Sequence, residues 1–355
     1  MTVSSSPPKA PPAGELRAEL LAWYDRARRD LPWRAATGER PDPWHVLVSE
    51  LMLQQTTVAT VRGRFQPFLD CFPTLASLAA APLDEVLHAW QGLGYYRRAR
   101  SLHACAQAVV ARHRGTLPLT ESALLALPGI GPYTAAAVAA IAGGAAAVPV
   151  DANVERVLGR IYAIESPLPA ARSRLRELAS GLAATQRAGD FAQALMELGA
   201  LVCRPRQPAC LACPCRSWCR AASLGDPESF PRKTVRAPRL PRFTTVFLLE
   251  RADGAVLFRQ RPLDGLLGGM IELPGTPWSD RFDPAETLSF PAVVDWAPIP
   301  GEVRHVFTHL DLLVRMRHGR IGACEAGLWM PPARFDELAL PTLTRKLLRH
   351  AGLRW

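Results

Sequence analysis

Four cysteines fall within seventeen residues, Cys203, Cys210, Cys213 and Cys219, separated by six, two and five residues. Thiolates gathered this tightly can hold a cubane iron-sulfur cluster or a zinc ion. Zinc fingers usually set a longer arm between two cysteine pairs, so the compact spacing leans towards iron-sulfur. Cys215 lies between two of the four and reads as a bystander, while Arg204, Arg206, Arg216 and Arg220 offset thiolate charge and can reach phosphate. Two carboxylates also stand out. Glu50 is set into the strongly apolar run WHVLVSELML, where its ordinary reading is a residue that faces solvent or pairs with an arginine. Asp151 follows a small apolar run and opens a helix, where its ordinary reading is an N-cap.

The elements that must place these groups are helical. Within LPGIGPYTAAAVAAIAGGAAAVPVDANVERVL a first helix, residues 122–127, stops at Pro128, and Gly129 and Gly131 can both take positive φ in a tight turn. Pro132 suits the first position of a second, Ala-rich helix that ends at Gly143-Gly144. The amides of Gly129, Ile130 and Gly131 would then point outward at that helix start, a phosphate-binding corner with no base preference, unless the segment is a plain helix-helix turn. A third helix begins at Asp151, with Val154, Val157, Leu158 and Ile161 on one face. Further helices are expected over 15–29, over the single run from Trp44 to Leu69, on both sides of Gln91-Gly92-Leu93-Gly94-Tyr95-Tyr96, and through SRLRELASGLAATQ and FAQALMELGALVC. That glycine-rich break, with Arg97, Arg98 and Arg100 beside it, suits insertion into a duplex with Leu93 or Tyr95 as an exposed wedge; a turn packed on its own tyrosines is the alternative.

With 355 residues, 48% of them hydrophobic, the chain can bury more than one core. A formal charge of +10 favours a polyanionic partner. Arginine supplies nearly all of it, since the only lysines are Lys9, Lys233 and Lys346. Residues 1–14 are rich in Ser and Pro and read as a disordered tail rather than a targeting segment. No apolar run is long enough to span a bilayer, so a cytoplasmic location is expected, and a disulfide framework is not. Residues 225–241 shift to Pro, Arg and Ser, as in a linker. Beyond them FTTVFLLE and AVLFRQR flank Asp253-Gly254 as a hairpin, GLLGGMIELPG reads as loop and strand, VRHVFTHLDLLVRM as one further strand, and residues 340–353 as a closing helix. The fold class is multidomain: an all-α region over 15–224, containing the cysteine loop 203–219, and an α+β domain over 242–355.

Together, SELMLQQT, GLGYYRRAR, LPGIGPYTAAA, VDANVERV and the four-cysteine spacing resemble the helix-hairpin-helix DNA glycosylases, most closely the adenine DNA glycosylases of the MutY type. The match is close over residues 16–221 and looser beyond. The resemblance implies a [4Fe-4S] cluster on the four cysteines and Glu50 and Asp151 as the catalytic pair. N-glycoside cleavage passes through an oxocarbenium-like state, for which one carboxyl protonates the leaving group and another stabilises the sugar. Glu50 would protonate N7 of adenine, with a pKa raised by burial. Asp151 would stay ionised, helped by a helix N-terminus, and act electrostatically or as a covalent nucleophile.

Tyr133 stands where related bifunctional endonucleases carry a Schiff-base lysine, so a lysine-based lyase is excluded, and Tyr133 is expected to orient Asp151 or the sugar. The same resemblance implies that Gln193 reads the adenine edge in a pocket lined by Trp33, Arg34 and Leu53, and that Gln55, Thr56, Leu93 and Tyr95 probe the opposite base. The C-terminal domain resembles a nudix-like 8-oxoguanine sensor, with Phe307-Thr308-His309 at the place of a Phe-Ser-His tip; the threonine adds a methyl to that contact. It lacks the clustered glutamates of a magnesium-dependent hydrolase. The expected substrate is double-stranded DNA with adenine opposite 8-oxoguanine or guanine, met by a monomer. A pyrimidine mismatch glycosylase and a catalytically silent DNA-damage sensor are the competing readings.

Overall fold

The structure is a computed structural model that describes residues 11–36, 39, 41–234, 238–285, 294–322, 324 and 326–355. Most of the expected N-terminal tail and part of the linker therefore lie outside the described residues, although Ala13 and Gly14 already belong to the first helix. The helices in chain order are α1 (Ala13–Ala27), α2 (Pro43–Leu53), α3 (Val58–Cys71), α4 (Leu75–Ala80), α5 (Leu83–Ala89), α6 (Arg97–His113), α7 (Glu121–Leu125), α8 (Pro132–Ile141), α9 (Ala152–Ile161), α10 (Arg172–Leu182), α11 (Ala188–Leu201), the short α12 (Arg220–Ser223) and, after the strands, α13 (Thr342–His350). None is long and apolar enough to cross a membrane, among the described residues.

The chain divides into two units, Met1–Ala80 with Ser101–Val235, and Ala81–Arg100 with Arg236–Trp355. In the first, α1, α9, α10 and α11 close on Leu16, Leu20, Val154, Leu158, Leu175, Phe191 and Leu195, the apolar stripes that their periodicity foretells. One expectation fails here. The run from Trp44 to Leu69 is two helices, because Gln55 takes φ 56 and Thr57 caps a new start by accepting from the Thr60 amide at 3.3 Å.

The second unit is built on a mixed sheet of order β3-β2-β1-β5-β4, with β6 paired to β2. Its strands are β1 (Leu240–Arg251), β2 (Val256–Gln260), β3 (Ile271–Glu272), β4 (Ala297–Val306), β5 (Leu310–Ile321) and β6 (Leu328–Met330). The expected hairpin is β1–β2, antiparallel, whereas β1 and β5 run parallel. VRHVFTHLDLLVRM is not one strand: it is the end of β4, a turn at Phe307-Thr308-His309, and the start of β5. Both halves share a strand-like composition, and only antiparallel pairing reveals the reversal. Leu343, Leu347 and Leu348 of α13 share one core with Leu248, Phe258, Val314 and Met316 of the sheet.

Candidate active site

Helix α2 carries Glu50 into the interior. Asp42 caps it by accepting from the Trp44 amide at 2.7 Å, Pro43 occupies the first turn, and Val46 through Met52 are all buried. With α2 buried along this stretch, Glu50 is 5% exposed and has no arginine partner at bonding distance among the described residues. Its Oε2 accepts the Tyr133 hydroxyl at 2.6 Å. Burial pushes the Glu50 carboxyl up to about 7; the Tyr133 bond pulls it down, Asp151 raises it further and Arg34 lowers it. Tyr133, expected to orient Asp151 or the sugar, lines the same cavity as Asp151 and gives its hydroxyl to Glu50 across the contact of α8 with α2.

The turn between α7 and α8 is partly as expected. Gly129 takes φ 73, and a Cβ there would lie 2.2 Å from Ser101 Cβ, so only glycine fits. Gly131 differs: it caps α8 in an extended conformation at φ −94, because Pro132 behind it favours extended backbone in the preceding residue. The Ile130 amide donates to Leu127 O at 3.3 Å and its side chain is buried, so it turns inward, and not outward as expected.

Asp151 is both an N-cap and a cavity residue. Its Oδ1 accepts the amides of Asn153 at 2.9 Å and Val154 at 2.8 Å, and its Oδ2 accepts Asn153 Nδ2 at 2.8 Å. These bonds lower its pKa, as the helix start should, but burial outweighs them and the net direction is upward. The chain of contacts continues. Asn153 Oδ1 accepts Arg156 Nη2 at 2.8 Å, and Arg156 Nε donates to the Cys203 carbonyl at 2.6 Å.

One cavity of about 910 Å³ is lined by Glu50, Tyr133 and Asp151 and also by Trp33, Arg34, Leu53, Gln55, Thr56 and Gln193. Gln193 Nε2 donates to Gly189 O at 3.2 Å, which fixes the amide plane on the α11 face. Sequence reasoning passed over three supporting residues: Asn153, Gln54, whose Nε2 donates to Thr134 Oγ1 at 3.0 Å, and Glu197, which binds Arg29 and Arg34. Glu197 carried a readable signal, an acid four residues beyond Gln193 in the largely apolar run FAQALMELGAL.

The remaining residues belong to the second unit. Leu93 is 4% exposed and is no free wedge, while Tyr95 is 47% exposed at φ 46. Leu93 turns inward because its amide closes the turn on Trp90 O at 3.2 Å. Tyr95 Oη lies 3.0 Å from Thr308 Oγ1. Phe307 packs between Trp278 and His305 at ring separations of 5.5 and 4.6 Å, and His309 completes the turn through its carbonyl, which accepts the Leu240 amide at 3.3 Å.

Cys203, Cys210, Cys213 and Cys219 line a second, small cavity together with Arg160, while Cys215 is buried outside it. Among the described residues, no three His, Cys, Asp or Glu side chains form a site for a single metal ion. Arg160, 1% exposed, donates to the carbonyls of Phe230, Arg204 and Pro205 and to Cys203 Sγ at 3.3 Å, which ties the loop to α9.

Residues 48–181 match the family model described as HhH-GPD superfamily base excision DNA repair protein, and residues 245–350 match the NUDIX domain. The human adenine DNA glycosylase is 37% identical over 94% of this chain and 73% of its own length. The adenine DNA glycosylase of Mycolicibacterium smegmatis is 46% identical over 63% of this chain and 74% of its own. Among solved structures, a thermostable thymine-DNA glycosylase superposes with a TM-score of 0.53 at 32% identity, covering 58% of this chain and 94% of that one. With a relative 37% identical over 94% of this chain and 73% of its own length, the chain belongs to the adenine DNA glycosylase family.

Proposed function

We propose that this protein is a monofunctional glycosylase that hydrolyses the N-glycosidic bond of adenine opposite 8-oxoguanine or guanine in duplex DNA. The observation that carries the reading is a buried Glu50, its carboxyl pushed up to about 7 by that burial, in one cavity with an Asp151 held by two helix amides. The extruded adenine enters against Trp33, Leu53 and Gln193, whose amide suits the N6–N7 edge. Glu50 gives its proton to N7, the C1′–N9 bond breaks with its electron pair going to the base, and Asp151 stabilises the positive sugar. Water then adds to C1′ and returns a proton to the Glu50 carboxylate. Among the described residues no lysine lines the cavity, so no lysine Schiff base forms there and the backbone is left intact.

Two further assignments belong to the same proposal. Tyr95 and Thr308 read the base opposite the adenine, and the NUDIX-like domain acts as a sensor. The four cysteines hold a [4Fe-4S] cluster, supported by their compact spacing and shared cavity; when bound it folds the arginine-bearing loop and supplies a one-electron redox centre.

The test is single-turnover base release on duplexes carrying adenine opposite 8-oxoguanine, guanine, thymine or cytosine, with alkali added afterwards. Release opposite 8-oxoguanine and guanine, with breaks only after alkali, is expected. Release of thymine and not adenine would replace this reading by that of a thymine glycosylase.

A further inference from the structure

Glu197 is 1% exposed in the wall of the main cavity, and the reaction above makes no use of it. Its Oε1 accepts the Arg29 amide at 2.9 Å, Arg29 Nε at 2.8 Å and Arg34 Nη1 at 3.2 Å. Its Oε2 accepts Nη2 of Arg29 at 2.7 Å and of Arg34 at 2.8 Å. Arg34 Nη1 also donates to Arg29 O at 3.0 Å and its guanidinium lies 5.7 Å from the Tyr24 ring centre. Burial alone would raise the Glu197 carboxyl, but the bonds from both arginines outweigh it and hold it at about 2, so it is an anion at any working pH. Two cations thus share one buried anion.

That arrangement matters because Arg34 bears on Glu50. The groups facing Glu50 are Tyr133 from α8, Asp151 from the start of α9 and Arg34 from the segment after α1. Arg29, Glu121, Glu155, Arg172 and Arg176 lie further round the cavity, Glu155 being paired with Arg172 at 2.8 Å. Helix α3, packed on α2, presents the buried apolar Val61, Phe65 and Phe68, and its Arg62 points away to Asp30 O. Arg34 is therefore the cation that draws the Glu50 pKa down and favours loss of its proton, and Glu197 is its counter-ion.

We propose that Glu197 is a positioning residue of the adenine site: it clamps Arg34 onto the cavity wall and offsets the charge of Arg29 and Arg34 before it acts on Glu50. The inference rests on Glu50 being the acid. Its two parts separate in experiment, since the clamp sets the plateau rate and the charge sets the pH at which the acid is lost.

The test is adenine release under single turnover across pH 5 to 9, on an adenine:8-oxoguanine duplex, by the full chain. Glu197→Gln leaves an extra positive charge, so the midpoint of the alkaline fall moves down by about one pH unit, with a plateau lower by about tenfold. Glu197→Asp keeps the charge and shortens the reach, so its plateau falls while its midpoint holds. The Arg29→Met/Glu197→Gln pair restores the net charge without the clamp, so its midpoint returns towards wild type and its plateau stays low. It carries the test if Glu197→Gln does not fold. A lower melting temperature with wild-type midpoint and plateau in the folded fraction would overturn the inference and leave the Glu50 reading standing. Wild-type release that shows no fall between pH 5 and 9 would overturn both.

Discussion

Tyr133 donates its hydroxyl to Glu50 Oε2 at 2.6 Å, so the phenol and the acid act as one unit. The bond favours the ionised carboxylate and restrains the rise that burial causes. Tyr133→Phe should therefore move the alkaline midpoint of base release upward while lowering the plateau by about tenfold, or roughly 1.4 kcal/mol. A pH–rate profile of the variant checks both; an unmoved midpoint would contradict the coupling.

Wild-type release should be greatest where Glu50 is protonated and fall as the pH rises through about 7. Stability follows the same group. Because the folded carboxyl titrates above its ordinary value of 4.5, the unfolded chain loses that proton first, and stability declines between 4.5 and about 7. Glu50→Gln removes this cost. It should leave stability near wild type at pH 4.5, raise it at pH 8 by about 3 kcal/mol, and slow base release by two to four powers of ten. Urea unfolding at both pH values measures the first effect.

Helix α11 approaches α9 at a glycine. A Cβ at Gly199 would lie 2.6 Å from Asn153 Cβ and 3.1 Å from its Cα and carbonyl oxygen. Gly199→Ala should displace Asn153 from Asp151, destabilise by about 2 kcal/mol and slow base release. Gly181→Ala, where a Cβ meets nothing within 4 Å, is the control and should leave release unchanged.

Arg160→Met deprives three carbonyls and the Cys203 sulfur of a buried donor. A loss on the order of 3 kcal/mol is expected, with reduced metal content. Iron and acid-labile sulfide should be present in equal amounts in the wild type, lost in Cys213→Ser and kept in Cys215→Ser. Zinc in place of iron would refute the cluster.

The Tyr95–Thr308 contact gives the opposite-base reading its own test. Thr308→Val removes the hydroxyl and keeps the shape, so preference for 8-oxoguanine over guanine should fall, whereas Thr308→Ser should retain it. Tyr95→Ala should weaken duplex binding by roughly 1 to 3 kcal/mol if its ring stacks on a base.

Local patterns were readable wherever one segment sufficed. The apolar stripe of α9, the proline that opens α8 and the positive φ of Gly129 each follow from a few adjacent residues. Boundaries needed more: nothing in LMLQQTTVAT announces that Gln55 turns left-handed, and nothing in VRHVFTHLDLLVRM separates β4 from β5 until the strands pair. Leu93 looked like a tip beside Tyr95, but only packing distinguishes a buried leucine from an exposed one.

The sequence alone determined the helical and strand-rich halves, the cysteine spacing, the absence of a lysine between Ala10 and Arg232, and the types of group available for acid and electrostatic work. Tertiary structure decided what those groups can do. Glu50 and Tyr133 are 83 residues apart, and Arg34 and Glu197 are 163 apart, so neither bond leaves a periodic trace in the chain. The pKa of Asp151 shows why this matters: its helix position, legible in the sequence, argues downward, while burial, which only the folded chain possesses, argues upward and prevails.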